Sequence, residues 1–86
     1  MKLIICRRCT DVVRLTESIF YNFCKCGESS GRYVDDLNAV YSGEAIPIGF
    51  SNSELLTAIQ SQPESGQGKV FAAFVVPKQC PTFRKI

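Results

Sequence analysis

Four cysteines near the start of the chain constrain its fold more than any other feature. Cys6 and Cys9 form a Cys-x2-Cys pair. Cys24 and Cys26 form a tighter Cys-x-Cys pair, and residues 10–23 between the pairs suit a short hairpin that carries one pair to the other. Four thiolates brought together this way match the tetrahedral shell of a structural zinc, and soft ligands also accept iron. We therefore predict that these four cysteines hold one structural metal ion, with zinc as the first choice and iron as the alternative.

The composition argues against an enzyme. The chain contains no histidine, so the commonest general base is missing. A catalytic zinc keeps one coordination position open, whereas four sulfurs fill the shell and leave no place for a substrate water. The fifth cysteine, Cys80, has no histidine to activate it, and we interpret it as a partly buried side chain that anchors the tail. We expect a non-enzymatic protein.

The size and the cysteine pattern indicate a small cytoplasmic protein. A chain of 86 residues makes one domain with a marginal core, which a bound metal would reinforce. Cysteines in a metal-binding pattern are typical of a compartment where thiols stay reduced. No apolar run approaches the roughly 18 residues of a spanning helix, and the opening run is too short for a signal-peptide core. We expect no association with membranes. The sequence is compatible with a monomer and with a homo-oligomer.

Charge is distributed unevenly along the chain. The formal net charge of +2 falls close to zero once four thiolates and one zinc ion are counted. Residues 27–66 hold six acidic and one basic side chain, whereas residues 67–86 hold four basic and none acidic. A neutral molecule with an acidic middle is a poor candidate for sequence-independent binding to duplex DNA, since that binding comes from neutralising phosphates.

Most of the chain shows strand-type patterns. Six segments rich in β-branched, aliphatic or aromatic residues are predicted strands: 2–5, 11–15, 18–23, 32–34, 37–41 and 45–50. The second and third are expected to form a hairpin that turns near residues 16–17, and residues 28–31 read as a loop. Pro47 cannot donate to a ladder, so its strand is expected at a sheet edge or at a bulge.

One helix is predicted after these strands. Residues 51–53 (Ser-Asn-Ser) are typical of a helix start, because small polar side chains accept hydrogen bonds from the first free amides. Leu55, Leu56 and Ile59 then fall on one face, which predicts a short amphipathic helix that runs to about Gln62.

The remaining residues complete the predicted fold. Residues 70–76 are the most apolar segment and are expected to form a central buried strand, while residues 77–86 form a basic tail that we expect to be partly loose. The fold class is α+β and β-dominated, with zinc-ribbon-like antiparallel hairpins extended by further strands and one short helix. Within a single domain over residues 1–86 we distinguish a metal-binding ribbon (1–27), a strand-helix-strand extension (28–76) and the tail.

A candidate recognition surface lies between Gly31 and Asn52. Tyrosine and arginine dominate binding hot spots because they combine a large contact area with directional hydrogen bonds. The candidate side chains for a small polar ligand or a protein partner are Arg32, Tyr33, Asp35, Asn38 and Tyr41. The alternative interpretation is that the tyrosines flank the core of a second sheet.

A second candidate surface surrounds the cysteines. Arg7, Arg8 and Lys25 sit inside the two cysteine turns and are expected to point outward as a small basic knob. In nucleic-acid-binding zinc ribbons such a knob contacts phosphates, and Phe20 and Tyr21 are placed to assist by stacking. The alternative is that these cations offset the −2 charge of a zinc tetrathiolate.

The cysteine motifs carry a resemblance to known metal modules. Cys-Arg-Arg-Cys and Cys-Lys-Cys-Gly over residues 1–27 resemble zinc-ribbon and rubredoxin-like modules, with one residue where the second pair usually has two. The resemblance implies a metal held between two turns on a small β-sheet.

The whole chain also resembles a class of small proteins encoded by phages and prophages. This resemblance rests on the two cysteine motifs together with Gly-Arg-Tyr-Val-Asp-Asp-Leu-Asn-Ala-Val-Tyr and Gly-Glu-Ala-Ile-Pro-Ile-Gly-Phe-Ser-Asn. It implies an accessory protein in the host cytoplasm that binds a host factor or sequesters a nucleotide signal. We therefore expect a zinc-stabilised binding protein that engages a host protein or small ligand through residues 31–50. The alternative is a nucleic-acid-binding zinc ribbon.

Overall fold

The computed structural model describes residues 1–86 as eight strands and one helix. The elements are β1 (Lys2–Cys6), β2 (Val12–Arg14), β3 (Asn22–Phe23), β4 (Ser29–Tyr33), β5 (Ala39–Gly43), β6 (Ala45–Phe50), α1 (Asn52–Gln60), β7 (Ala73–Val75) and β8 (Phe83–Lys85). One sheet has the order β2-β1-β6-β7 and the other β3-β4-β5-β8. Neighbouring strands are antiparallel except β5 and β8, which are parallel. The predicted β-dominated α+β class is confirmed. No helix has the length and apolar character needed to cross a membrane.

The core lies between the two sheets. Its buried side chains come from both sheets and from the segments beside them: Ile4, Leu15, Ala39, Tyr41, Ala45, Val76 and Phe83. The Phe83 ring is fully buried and meets the Tyr41 ring edge to face, with centroids 5.2 Å apart. A core of this size is small for an independent domain.

The C-terminal residues are part of the fold, so the prediction of a partly loose tail is wrong. β8 pairs with β5 in parallel, with Ala39 opposite Phe83, and the N–H of Ile86 donates to the Tyr41 carbonyl at 2.8 Å. Phe83 is the reason, because burying one aromatic ring stabilises an otherwise polar strand.

The predicted hairpin over residues 11–23 is also wrong. β2 pairs with β1, and β3 pairs with β4, so the two strands belong to different sheets. Each predicted strand instead closes its own hairpin around one cysteine pair. Residues 29–31, predicted as a loop, form the start of β4, where a Cβ at Gly31 would lie 3.0 Å from Leu15 Cδ2. Their small side chains allow this strand to pass close to Leu15.

Pro47 lies in a central strand, contrary to the prediction of an edge or bulge. β6 sits between β1 and β7. The Phe50 N–H donates to the Met1 carbonyl on the β1 side, so alternate residues, including Pro47, direct their backbone groups to β7. There the Val76 N–H donates to the Pro47 carbonyl at 2.9 Å. Because proline has no N–H, the contact between Pro47 and Val76, just beyond the three paired residues of β6 and β7, has one hydrogen bond and not two.

The region from α1 to β7 is more exposed than predicted. The helix is present and ends at Gln60, but Leu56 and Ile59 are exposed and only Ala58 is buried. Residues 70–76 were expected to form a central strand, whereas β7 covers only Ala73–Val75 and lies at the edge of its sheet. The apolar composition of this segment is therefore not explained by burial within one chain.

Candidate metal centre

The two cysteine pairs occupy equivalent turns in different sheets. Cys6 ends β1 and Cys9 lies in the turn to β2, whereas Cys24 and Cys26 lie in the turn from β3 to β4. The first hairpin belongs to one sheet and the second to the other. The candidate metal site is therefore built where the ends of the two sheets meet.

The positions of the four sulfurs fit a tetrahedral ion. All four Sγ atoms lie within 4.8 Å of one another, and none is in a disulfide. Cys26 Sγ is 3.7 Å from Cys6 Sγ and 3.6 Å from Cys24 Sγ. A tetrahedron with metal–sulfur bonds of about 2.3 Å places its sulfurs about 3.8 Å apart. The donor set and the spacing together suit a zinc or iron tetrathiolate.

Backbone amides support the sulfurs in both turns. The Arg8 N–H points at Cys6 Sγ at 3.4 Å, and the Ser29 N–H points at Cys24 Sγ at 3.3 Å. After each pair the chain enters the left-handed region, with φ of 58° at Thr10 and 81° at Gly27. These amides stabilise thiolate charge, which is the ionisation state that binds metal.

The environment of the sulfurs pushes their proton affinities apart. The adjacent Ser29 side chain and the Cys9 N–H lower the pKa of the Cys6 thiol to about 6. At Cys26 the Glu28 N–H acts to lower the pKa, but desolvation and the neighbouring sulfurs outweigh it and raise the pKa to about 12. Four adjacent thiolates repel one another, so a bound cation is what allows all of them to ionise together.

Basic side chains surround this centre, as the sequence predicted. Arg7, Arg8 and Lys25 are all exposed. Arg8 approaches the Glu28 carboxylate at 3.9 Å, a solvent-exposed ion pair that contributes little to stability. The outward direction of these cations is compatible both with compensation of the metal-site charge and with contact to an anionic partner.

Two of the five predicted recognition residues have structural roles. Tyr41 is 3% exposed and packs on Phe83, so it lies in the core and not on a surface, contrary to the prediction. The Arg32 guanidinium donates to the Ser18 carbonyl at 2.7 Å and lies 5.6 Å from the centre of the Tyr21 ring. Arg32 therefore holds residues 18–21 against β4.

The other three recognition residues lie together at the β4–β5 turn. One Asp35 oxygen accepts hydrogen bonds from the N–H groups of Leu37 and Asn38, and both oxygens accept from the Asn38 amide. These bonds, chiefly those from Asn38, lower the pKa of Asp35. The Tyr33 hydroxyl accepts from the Lys2 N–H at 2.9 Å. This turn is rigidly preorganised next to the start of β1.

A cavity of about 430 Å³ opens beside this turn, between the two sheets. Its lining includes Lys2, Tyr33, Asp36, Phe74 and Cys80. Of these five residues only Tyr33 was a predicted recognition residue; Asp36 lies near it in the sequence, whereas Lys2, Phe74 and Cys80 come from distant segments that no local pattern joins to it. The partial burial predicted for Cys80 is confirmed, and the Thr82 hydroxyl lowers the pKa of its thiol.

Comparisons with known proteins do not extend this description. No protein-family model, curated protein or solved structure matches the chain. The geometry by itself establishes a small β-dominated protein with a candidate four-cysteine metal centre joining its two sheets.

Proposed function

We propose that the chain is a non-enzymatic, zinc-stabilised binding protein. The observation that carries this proposal is the set of four Sγ atoms within 4.8 Å of one another, drawn from one hairpin of each sheet. Four cysteine ligands would occupy every position of a tetrahedral ion, so the ion would act as a structural link and would not activate a water. Recognition then falls to the rest of the molecule.

The cavity between the sheets is the best-supported recognition site. Its volume of about 430 Å³ falls in the range of small-molecule sites, and apolar walls with a few converging polar groups are typical of them. Phe50 and Phe74 supply aromatic surface, and Lys2, Tyr33 and Asp36 supply polar groups. This combination suits a ligand with a flat ring and an anionic group, such as a nucleotide. In the phage context that the sequence suggests, binding would sequester a host signal or inhibit a host factor.

Nucleotide binding is tested on the zinc-loaded protein by thermal shift and calorimetry. We expect a nucleotide to raise the melting temperature, because a ligand that binds only the folded state stabilises it. Tyr33→Ala is expected to weaken this binding at least tenfold with unchanged zinc content, whereas Lys85→Ala, exposed on β8 and outside the cavity lining, serves as the control. Equal affinity in the Tyr33→Ala and wild-type proteins would remove the cavity proposal.

A specific observation favours a second candidate, binding of single-stranded nucleic acid. Phe20 and Phe23 are 74% and 63% exposed, close in sequence to Lys25 in the second cysteine turn. Exposed aromatic rings beside cations are typical of single-strand binding surfaces, where bases stack on the rings.

This second candidate is tested by fluorescence anisotropy with a labelled oligonucleotide. It predicts an affinity that falls steeply with salt and falls further in Phe20→Ala and Phe23→Ala, each base–ring stack being worth about 1–3 kcal/mol. Binding that is independent of salt and of both rings would exclude it in favour of the cavity.

A further inference from the structure

The β7 segment, which we define as residues 70–76, has a surface that one chain does not bury. Val70 is 89% exposed, Phe74 53% and Val75 69%. The segment contains no charged side chain and is bounded by Lys69 and Lys78. Apolar strands of this kind associate readily when their edge is open.

The backbone of the β7 segment offers an unpaired row of hydrogen-bonding groups. The Ser51 N–H donates to the Ala72 carbonyl, and the Val76 N–H donates to the Pro47 carbonyl. Alternate residues of an antiparallel strand point to opposite sides, so Ala73 and Val75 direct their N–H and C=O groups away from β6. No other strand lies beyond β7 in this sheet.

The other sheet edges are protected, and this contrast marks β7. β2 carries Arg14 and β8 carries Arg84 and Lys85, while β3 is only two residues long. Charged side chains and very short strands are the usual protection against edge-to-edge pairing. β7 is itself only three residues long, but it is one residue longer than β3 and, unlike β2 and β8, it carries no charged side chain.

We propose that β7 pairs with β7 of a second copy of this chain, antiparallel about a two-fold axis at Phe74. In this register Ala73 of one copy faces Val75 of the other. The two residues of each such pair exchange two hydrogen bonds, so both outward-pointing N–H groups and both carbonyls have partners. The segment carries no charged side chain, so no like charges meet between the two paired strands. Each copy has one such edge, and the pairing uses the edges of both copies, so the association ends at a dimer.

The charges at the ends of the segment predict how the dimer responds to salt. In this antiparallel register the Lys69 end of one segment lies at the Lys78 end of the other, so added salt screens the repulsion between these cations. We expect sedimentation equilibrium of the zinc-loaded full chain to show a reversible dimer that is retained or strengthened at high salt. Val75→Lys should weaken it at least tenfold, because it places two cations within the paired strands. Arg84→Ala on the β8 edge is the control and should dimerise as wild type.

Engineered disulfides test the register itself. Only residue 74 faces its own copy, as a non-hydrogen-bonded pair with Cα atoms about 4.5 Å apart, within disulfide range. In a Cys80→Ser background, Phe74→Cys should form a covalent dimer on mild oxidation, with the zinc ligands protected by the metal. Val75→Cys should not, because the two copies of residue 75 are diagonal neighbours about 7–8 Å apart.

Several results would overturn the inference. The wild-type protein could stay monomeric at its highest soluble concentration. It could form open-ended aggregates, or bind lipid vesicles, instead of dimerising. Cross-linking of Val75→Cys could equal that of Phe74→Cys. Zinc content and circular dichroism of each variant identify a substitution that merely fails to fold. Phe74 lines the cavity and also lies at the proposed two-fold axis, so the two proposals are separated by their variants: Tyr33→Ala changes the cavity and leaves β7 unchanged, whereas Val75→Lys changes the paired edge at a residue outside the cavity lining.

Discussion

Thr10 and Gly27 occupy equivalent positions after the two cysteine turns, with φ of 58° and 81°. Glycine adopts this left-handed conformation without strain, whereas a β-branched residue is pushed against its own backbone there. The Thr10 N–H still donates to the Cys6 carbonyl at 2.9 Å, so the turn keeps its shape in spite of the side chain. The first turn therefore stores strain that the second does not.

Thr10→Gly is expected to stabilise the zinc-loaded protein. Removal of the left-handed strain is worth about 1 kcal/mol, after the greater chain entropy of glycine in the unfolded state is subtracted. Urea unfolding at a fixed zinc concentration measures the change. Gly27→Ala is the reciprocal variant: a Cβ there meets no atom within 4 Å, so a loss of about 1 kcal/mol from strain alone is expected. Destabilisation by Thr10→Gly would show that the threonine side chain contributes more than its backbone costs.

At the scale of elements, β8 shows how one side chain can hold a strand. Phe83 is fully buried among residues of both sheets, while Arg84 and Lys85 are exposed. The parallel pairing with β5 adds the end of the chain to its sheet as an edge strand. β8 is therefore held mainly by burial of the Phe83 ring.

Phe83→Ala is expected to cost about 3–5 kcal/mol of unfolding free energy, because it leaves a large cavity in a small core. The neighbouring Arg84→Ala, on the exposed side of the same strand, should change stability by less than about 0.5 kcal/mol. Chemical denaturation of the two variants in parallel gives the comparison. A loss below about 1 kcal/mol for Phe83→Ala would show that the tail contributes little to the fold.

For the whole molecule, the candidate metal centre lies where the two sheets meet, and a bound ion would link them. Cys6 and Cys9 belong to the β1–β2 hairpin, whereas Cys24 and Cys26 belong to the β3–β4 hairpin. A structural zinc contributes about 10–16 kcal/mol of apparent binding energy, comparable to the entire stability of about 5–15 kcal/mol of a small domain. Loss of the ion should therefore affect both sheets and not the amino-terminal half alone.

Removal of zinc by a chelator is expected to unfold the chain cooperatively, including the sheet ends far from the cysteines. Hydrogen exchange at the Ile86 amide, which donates to the Tyr41 carbonyl, reports the β8 edge of the second sheet. Its protection should disappear together with that of the β1 amides, and zinc should restore both. Protection at Ile86 that survives exhaustive chelation would show that the second sheet folds without the metal.

The sequence predicted those features that short-range patterns encode. The spacing of the cysteines indicated the four candidate ligands that the structure brings together. The patterns of β1, β6 and α1 also located those elements within a few residues. Each of these features depends on neighbours close in the chain, so composition and spacing were sufficient.

The pairing of each strand with its neighbours was decided only by the tertiary structure. The strands on either side of residues 16–17 separate into different sheets, Phe83 draws the tail into the core, and Pro47 is tolerated in a central strand. Residues 70–76 were predicted as a central buried strand because of their apolar composition. Composition indicates that a segment avoids water, but it does not indicate which other segment covers it. Pairing between distant strands depends on the free energy of the whole packed molecule, which no local window of sequence contains.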